Sequence, residues 1–196
     1  MPLYAFAMAE HRQAFQHELD AIEAQVVELF EMVAEDLPQA TDALLNGNSE
    51  IVRTLVERDQ QIDALYPQIE DLADRELVLQ GPVASDLRFL VSVLRVVPEI
   101  ERSHDLVVSI ARRSGYIRSE DLSPRGRAFI EQMGSVAASM WRQAVDCWRE
   151  RDRSAAAALD EHDDEMDELY AGLMAELGSG GMSLPVTMEM TLVARD

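Results

Sequence analysis

At 196 residues the chain is long enough for one large domain or two small ones, and 37 acidic against 17 basic residues give a formal net charge of −20. That balance excludes bulk nucleic-acid binding, where basic side chains must neutralise phosphates, and it excludes a polybasic membrane anchor. A hydrophobic share of 47% excludes a disordered acidic tail, the single Cys147 excludes a disulfide framework, and no run approaches the roughly 20 apolar residues of a membrane helix.

The apolar start gives way at Glu10, His11 and Arg12 without the pattern of a secretory signal, so a soluble cytoplasmic protein is expected. Phe15, Leu19, Ile22, Val26, Leu29 and Val33 step alternately by four and three, the seam of a bundle helix. This first helix is predicted over about residues 6–36, ending before Pro38, with a short helical piece leading to the turn at Asn46-Gly47-Asn48. A second helix begins near Ser49 and carries Ile51, Leu55, Ile62, Leu65, Ile69 and Leu72, with Pro67 bending rather than ending it. Gly81-Pro82 breaks the chain, and Pro82 is placed at the first position of a third helix that runs to Ser114 with Gly115 as its cap.

A polar connection leads to Pro124. A fourth helix follows to about Arg151, then a fifth with Leu159, Met166, Leu169, Leu173 and Leu177, stopped by Gly178-Ser179-Gly180-Gly181. A sixth opens at Ser183-Leu184-Pro185 and has about a dozen residues. No window alternates like a strand for long, so the fold class is all-α.

An internal repeat organises these helices. Asp59-x-x-Ile62-Asp63-x-Leu65-Tyr66 returns as Asp163-x-x-Met166-Asp167-x-Leu169-Tyr170, at an offset of 104 residues. The chain is therefore read as two tandem three-helix bundles, 1–115 and 116–196. The sixth helix is much shorter than the third, and a bundle lacking most of one helix leaves apolar faces bare. The second bundle is thus expected to be truncated at its C-terminus, as in a fragment, or completed by a partner helix.

Carboxylates at i and i+4 share a helix face. Asp59 with Asp63, Glu101 with Asp105, and Asp163 with Asp167 form three such pairs. Each is either a solvated acidic face or, with its oxygen donors, a contact for a hard cation. His162, in the acidic run 160–168, is read as a surface residue. Asp86 suits the positive end of the third helix, and Arg88 is expected to pair with it or with another acid. Arg112, Arg113, Arg118, Arg125 and Arg127 form a basic island around the connection, partly explained by the helix C-terminus and otherwise suited to an acidic partner surface.

Pro82-x-x-x-Asp86-Leu87-Arg88, followed by Glu101-Arg102-Ser103-His104-Asp105, resembles the PhoU family of phosphate-signalling regulators, whose second segment usually reads Glu-Arg-Ile-Gly-Asp. Ser103 and His104 depart from that pattern while both carboxylates remain. The resemblance covers nearly the whole chain and places Asp59/Asp63 and Asp163/Asp167 in the family's Asp-x-x-x-Asp helices. The family's second Glu-Arg-x-x-Asp would begin just past Asp196.

The resemblance implies a cytosolic, often dimeric regulator that links the phosphate ABC transporter, through its ATPase, to the sensor histidine kinase of the phosphate two-component system. Such a regulator keeps the starvation response off and restrains uptake. The resemblance also implies that Glu101, Asp105, Asp59, Asp63, Asp163 and Asp167 contact metal: Mg, Mn, Fe or Zn.

A competing reading is a ferritin-like di-iron bundle, because Glu101-x-x-His104 is the pair such sites use twice. No second copy exists: Leu159 stands three residues before His162. No phosphate loop or nucleophile motif occurs either, so an enzyme is not expected. A plain helical interaction scaffold is the third reading.

Overall fold

The structure, a computed structural model, describes residues 2–151 and 155–196, with side chains described for 10–151 and 157–196. Six α-helices follow in order: α1 (Pro2–Asn46), α2 (Ser49–Gln80), α3 (Ala84–Arg112), α4 (Pro124–Glu150), α5 (Ala155–Gly178) and α6 (Leu184–Arg195). No strand occurs among the described residues. No helix among them is long and apolar enough to cross a membrane.

The first helix is longer than its sequence suggests. α1 does not stop before Pro38 but runs on to Asn46, 45 residues in all and about 68 Å at 1.5 Å per residue. Pro38 removes one backbone hydrogen bond, a loss of about 3 kcal/mol in a helix interior. Its ring lies on the exposed side of the helix. Leu37, Ala40, Ala43, Leu44 and Leu45 are all buried around and beyond it. Packing of those residues holds the helix through the proline, as tertiary contacts commonly override propensity. Helices α2 and α3 likewise continue across Pro67 and Pro98.

The turn between α2 and α3 also differs from expectation. Gly81, left-handed at φ 54°, ends α2, and Val83 is the extended N-cap of α3, so Pro82 precedes the helix rather than opening it. At the other end α3 stops at Arg112, and residues Arg113–Gly115 tighten into a 3-10 turn. Gly115 therefore caps nothing with a left-handed conformation. Helix α4 starts as read, with the Ser123 hydroxyl accepting from the Gly126 N–H at 2.9 Å and Pro124 in the first turn.

Two hydrophobic clusters form along α1. One joins Ile22, Val26, Leu29 and Val33 of α1 to Leu55, Ile62 and Ile69 of α2, Leu90, Val97 and Val107 of α3, and Ala138 and Val145 of α4. The other joins Leu44 and Leu45 at the end of α1 to Ile117, Leu122, Ile130, Leu173, Met190 and Val193. Apolar packing thus crosses residue 115 in both directions: α4 enters the first cluster and α1 the second. Two glycines let helices approach closely. A Cβ on Gly134 would collide with Thr41 of α1, and one on Gly172 would lie 2.6 Å from the Phe129 ring.

Candidate functional site: a carboxylate and histidine cluster at the α1–α2–α3 junction

Helices α2 and α3 run antiparallel and share a face on which four of the six expected carboxylates meet. Glu101 and Asp105 lie one turn apart on α3, opposite Asp59 and Asp63 on α2. Partial burial, then the charges of Asp105, Asp63 and Asp59, raise the Glu101 pKa above the usual carboxylate range. Burial, then Asp59 and Asp63, raise that of Asp105, with His104 and Arg112 opposing. Like charges therefore face one another here without full compensation.

Beneath them lies His104, fully buried. Its Nδ1 is 2.8 Å from Asp59 Oδ1 and its Nε2 is 2.9 Å from Asp36 Oδ2, so one imidazole ties α3 to α2 and to α1. A neutral ring has one donor and one acceptor nitrogen, and its acceptor would then face a carboxylate oxygen. Both nitrogens donate if the ring is an imidazolium. Burial alone lowers the His104 pKa, but hydrogen bonds and attraction to Asp36 and Asp59 outweigh it and raise the pKa overall. Arg58 completes the network, donating through Nη1 to Asp36 Oδ1 at 2.6 Å and through Nη2 to Glu35 Oε2 at 2.7 Å.

Sequence reasoning missed Asp36 and Arg58. The signal was present: Asp36 occupies a seam position between Val33 and Ala40, where an acid is buried only if paired. No sequence pattern marks Arg58, which reaches Asp36 from another helix. His104 serves neither as half of a Glu-x-x-His pair nor as a bystander; both of its nitrogens are taken by carboxylates.

The donor chemistry of Glu101, Asp105, Asp59 and Asp63 suits a hard cation. As placed, no three His, Cys, Asp or Glu side chains among the described residues converge closely enough to hold one. Asp163 and Asp167 lie exposed on α5, which packs on α4 and α6, away from this cluster. Asp167 lines a cavity of about 320 Å³ together with Met133, Tyr170, Val193 and Asp196. His162 hydrogen-bonds the Ala158 carbonyl of its own helix, at 2.8 Å.

Four of the five arginines of the basic island are engaged within the chain. Arg113 binds Glu189 at 2.9 Å and Asp196 at 3.2 Å, and Arg118 binds Glu120 and Asp121. Arg125 approaches Glu176 at 3.8 Å and sits over the Phe129 ring. Arg127 donates to the Leu45 carbonyl, Asn46, Ser119 and Glu131, fastening the end of α1 to α4. Arg112 is exposed, with no hydrogen bond or ion pair to another side chain among the described residues.

The PhoU domain family matches residues 26–114 and 130–196, most of the chain. This protein belongs to the PhoU family. It is 28% identical over 180 residues to a phosphate-specific transport system accessory protein PhoU homolog of Pseudomonas putida, covering 92% of this chain and 70% of that one. A homolog of the same name from Aquifex aeolicus is 31% identical, over 82% of this chain and 72% of that one. In three dimensions the chain is similar to crystalline PhoU from Pseudomonas aeruginosa, with a TM-score of 0.84 at 26% identity over 92% of this chain and 88% of that one. It also shares its fold with the phosphate transport system regulatory protein PhoU from Streptococcus pneumoniae, at a TM-score of 0.83 and 24% identity. Within a PhoU fold, then, the cross-link through His104 stands at the position where the resemblance implies a glycine.

Proposed function

We propose that this PhoU-family chain is a cytoplasmic, non-enzymatic regulator of phosphate uptake that represses the phosphate-starvation response when phosphate is ample. The family match carries this reading: the relatives that align with most of this chain are named as accessory proteins of the phosphate-specific transport system. In this reading it acts as a homodimer on the transporter ATPase and on a sensor histidine kinase, with Arg112, Arg113, Arg118, Arg125 and Arg127 forming one docking face. The test is a phosphate-starvation reporter in a strain lacking the gene. Derepression under ample phosphate, reversed by complementation, supports the reading; a silent reporter overturns it.

The same reading assigns a hard cation to Glu101, Asp105, Asp59 and Asp63, with Asp163 and Asp167 as a second contact. Its support is chemical: a cation relieves the carboxylate repulsion that raises the Glu101 and Asp105 pKa values. Elemental analysis of purified protein, compared with the Glu101→Ala/Asp105→Ala variant, tests this assignment. Equal metal content in both would remove it.

A further inference from the structure

A cavity of about 370 Å³ opens between α1, the start of α3 and the end of α4, away from the acidic cluster. Its wall is unusual for a chain of net charge −20, because it carries Arg88 and Arg151 against the single carboxylate of Glu23. Arg88 does not make the expected pair with Asp86. The Asp86 carboxylate accepts from Ser85 Oγ at 3.2 Å, and Asp86 lines a different cavity. The Arg88 guanidinium has no acceptor among the described residues, where most of the chain's arginines have one.

Arg151 is held at the cavity by an unusual backbone. It ends α4 in the left-handed conformation, at φ 53°, which disfavours side chains other than glycine by about 1 kcal/mol or more. Its guanidinium lies 5.4 Å from the Phe89 ring centroid. Among the described residues Arg151 donates only through Nη2, to the Glu23 oxygens at 3.3 and 3.4 Å, and its Nε and Nη1 have no acceptor there.

Two further features border the cavity. The Trp148 ring lines the wall, while its indole N–H is buried without a partner among the described residues and so is closed to a ligand in the open cavity. Helix α3, whose first turn contributes Ser85 to the wall, has an N-cap with no side-chain hydrogen bond, although Asp86 in the same turn offsets part of its dipole.

We propose that this cavity binds a phosphate group, held by the Arg88 and Arg151 guanidiniums beside the N-terminus of α3. Planar guanidinium forks match the oxygens of a phosphate, and the backbone N–H groups of a helix N-terminus without a side-chain cap can add donors. Phe89 and Trp148 supply an apolar wall on which the organic part of a phosphate ester can rest. Inorganic phosphate and a phosphate ester present the same group, and the test separates them.

The full chain is titrated with inorganic phosphate and, separately, with adenosine monophosphate, at constant ionic strength because screening would otherwise mimic a loss of binding. Tryptophan fluorescence and calorimetry report binding. A saturable response is expected, weakened at least ~10-fold by Arg88→Gln and by Arg151→Gln. Tighter binding of the nucleotide identifies an ester as the ligand; equal or tighter binding of phosphate identifies the inorganic ion. Because Arg88 is exposed and has no acceptor among the described residues, Arg88→Gln should keep the native melting temperature, so loss of binding in it is not loss of the fold. No saturable binding of either probe up to about 10 mM, or binding unchanged in Arg88→Gln, overturns the site. The inference is independent of the regulatory reading. Repression without binding sinks the site alone, and binding without repression sinks the regulator alone.

Discussion

His104 Nε2 lies 2.9 Å from Asp36 Oδ2, both groups fully buried, and this contact joins α3 to α1 in the interior of the first hydrophobic cluster. A buried carboxylate deprived of its partner is strongly destabilising. His104→Ala should therefore lower the unfolding free energy by about 3 kcal/mol, the lower end of the range for breaking a buried pair, because Arg58 still holds Asp36. Urea denaturation measures it. A change below about 0.5 kcal/mol, the size of an ordinary surface substitution, would show that the contact contributes nothing.

The same histidine sets a pH dependence. Its pKa is raised in the folded state, so the native protein holds the proton more tightly than the unfolded chain does. That stabilisation is fully present below about pH 6.5, the unfolded value, and is lost as pH rises through the folded value. Glu101 and Asp105, also raised, act in the same direction at lower pH. Thermal unfolding should thus show a fall in stability above pH 6.5 that His104→Gln abolishes. A profile unaltered by the substitution would assign the effect elsewhere.

Removing one charge from the acidic face should relieve repulsion. In chelator, Asp105→Asn is expected to match or exceed the parent in stability by a few tenths of a kcal/mol, the scale of like-charge pairs one helical turn apart. Adding Mn²⁺ or Mg²⁺ should raise the melting temperature of the parent and do less for the variant. An identical cation response in both proteins would place any bound ion away from Asp105.

Where α1 meets α4, the absence of a side chain at Gly134 is required by Thr41. Gly134→Ala should destabilise by about 1–3 kcal/mol through overpacking, despite alanine's better helix propensity. Thr41→Ala should restore much of the loss when combined with it, a coupling that a double-mutant cycle reads directly. Additive losses in the cycle would mean that the two sites do not touch.

Within the basic island, Arg112 and Arg127 should behave differently. Arg127→Glu removes bonds to Leu45, Asn46, Ser119 and Glu131 and should lower the melting temperature. Arg112→Glu, at an exposed position, should change stability by less than about 0.5 kcal/mol. It is therefore the cleaner probe of a docking face in a pull-down with the kinase or the transporter ATPase. Retained binding by Arg112→Glu would argue against that face.

The all-α fold and most helix ends were legible in the sequence because periodicity and caps are local. Ser123-Pro124 and the glycines after Leu177 act within a few residues of the boundary they set. Pro38 misled because its local effect is opposed by the burial of Leu44 and Leu45 against residues far along the chain. In the candidate site, the i,i+4 spacing placed Glu101 with Asp105 and Asp59 with Asp63, but spacing alone does not show that the two pairs face each other. The cross-link of Asp36, Arg58 and His104 was invisible for the same reason: each partner lies on a different helix, and only tertiary register brings them together.

Because α1 threads both hydrophobic clusters, neither can melt while the other keeps that helix intact along its length. Heat should therefore give one calorimetric transition, and the slowest amide protons of α1 near Val33 and near Leu44 should exchange with a common opening free energy. A displacement that tilts this helix at one end is carried along its length of about 68 Å, with Pro38 the one break in its backbone hydrogen bonding.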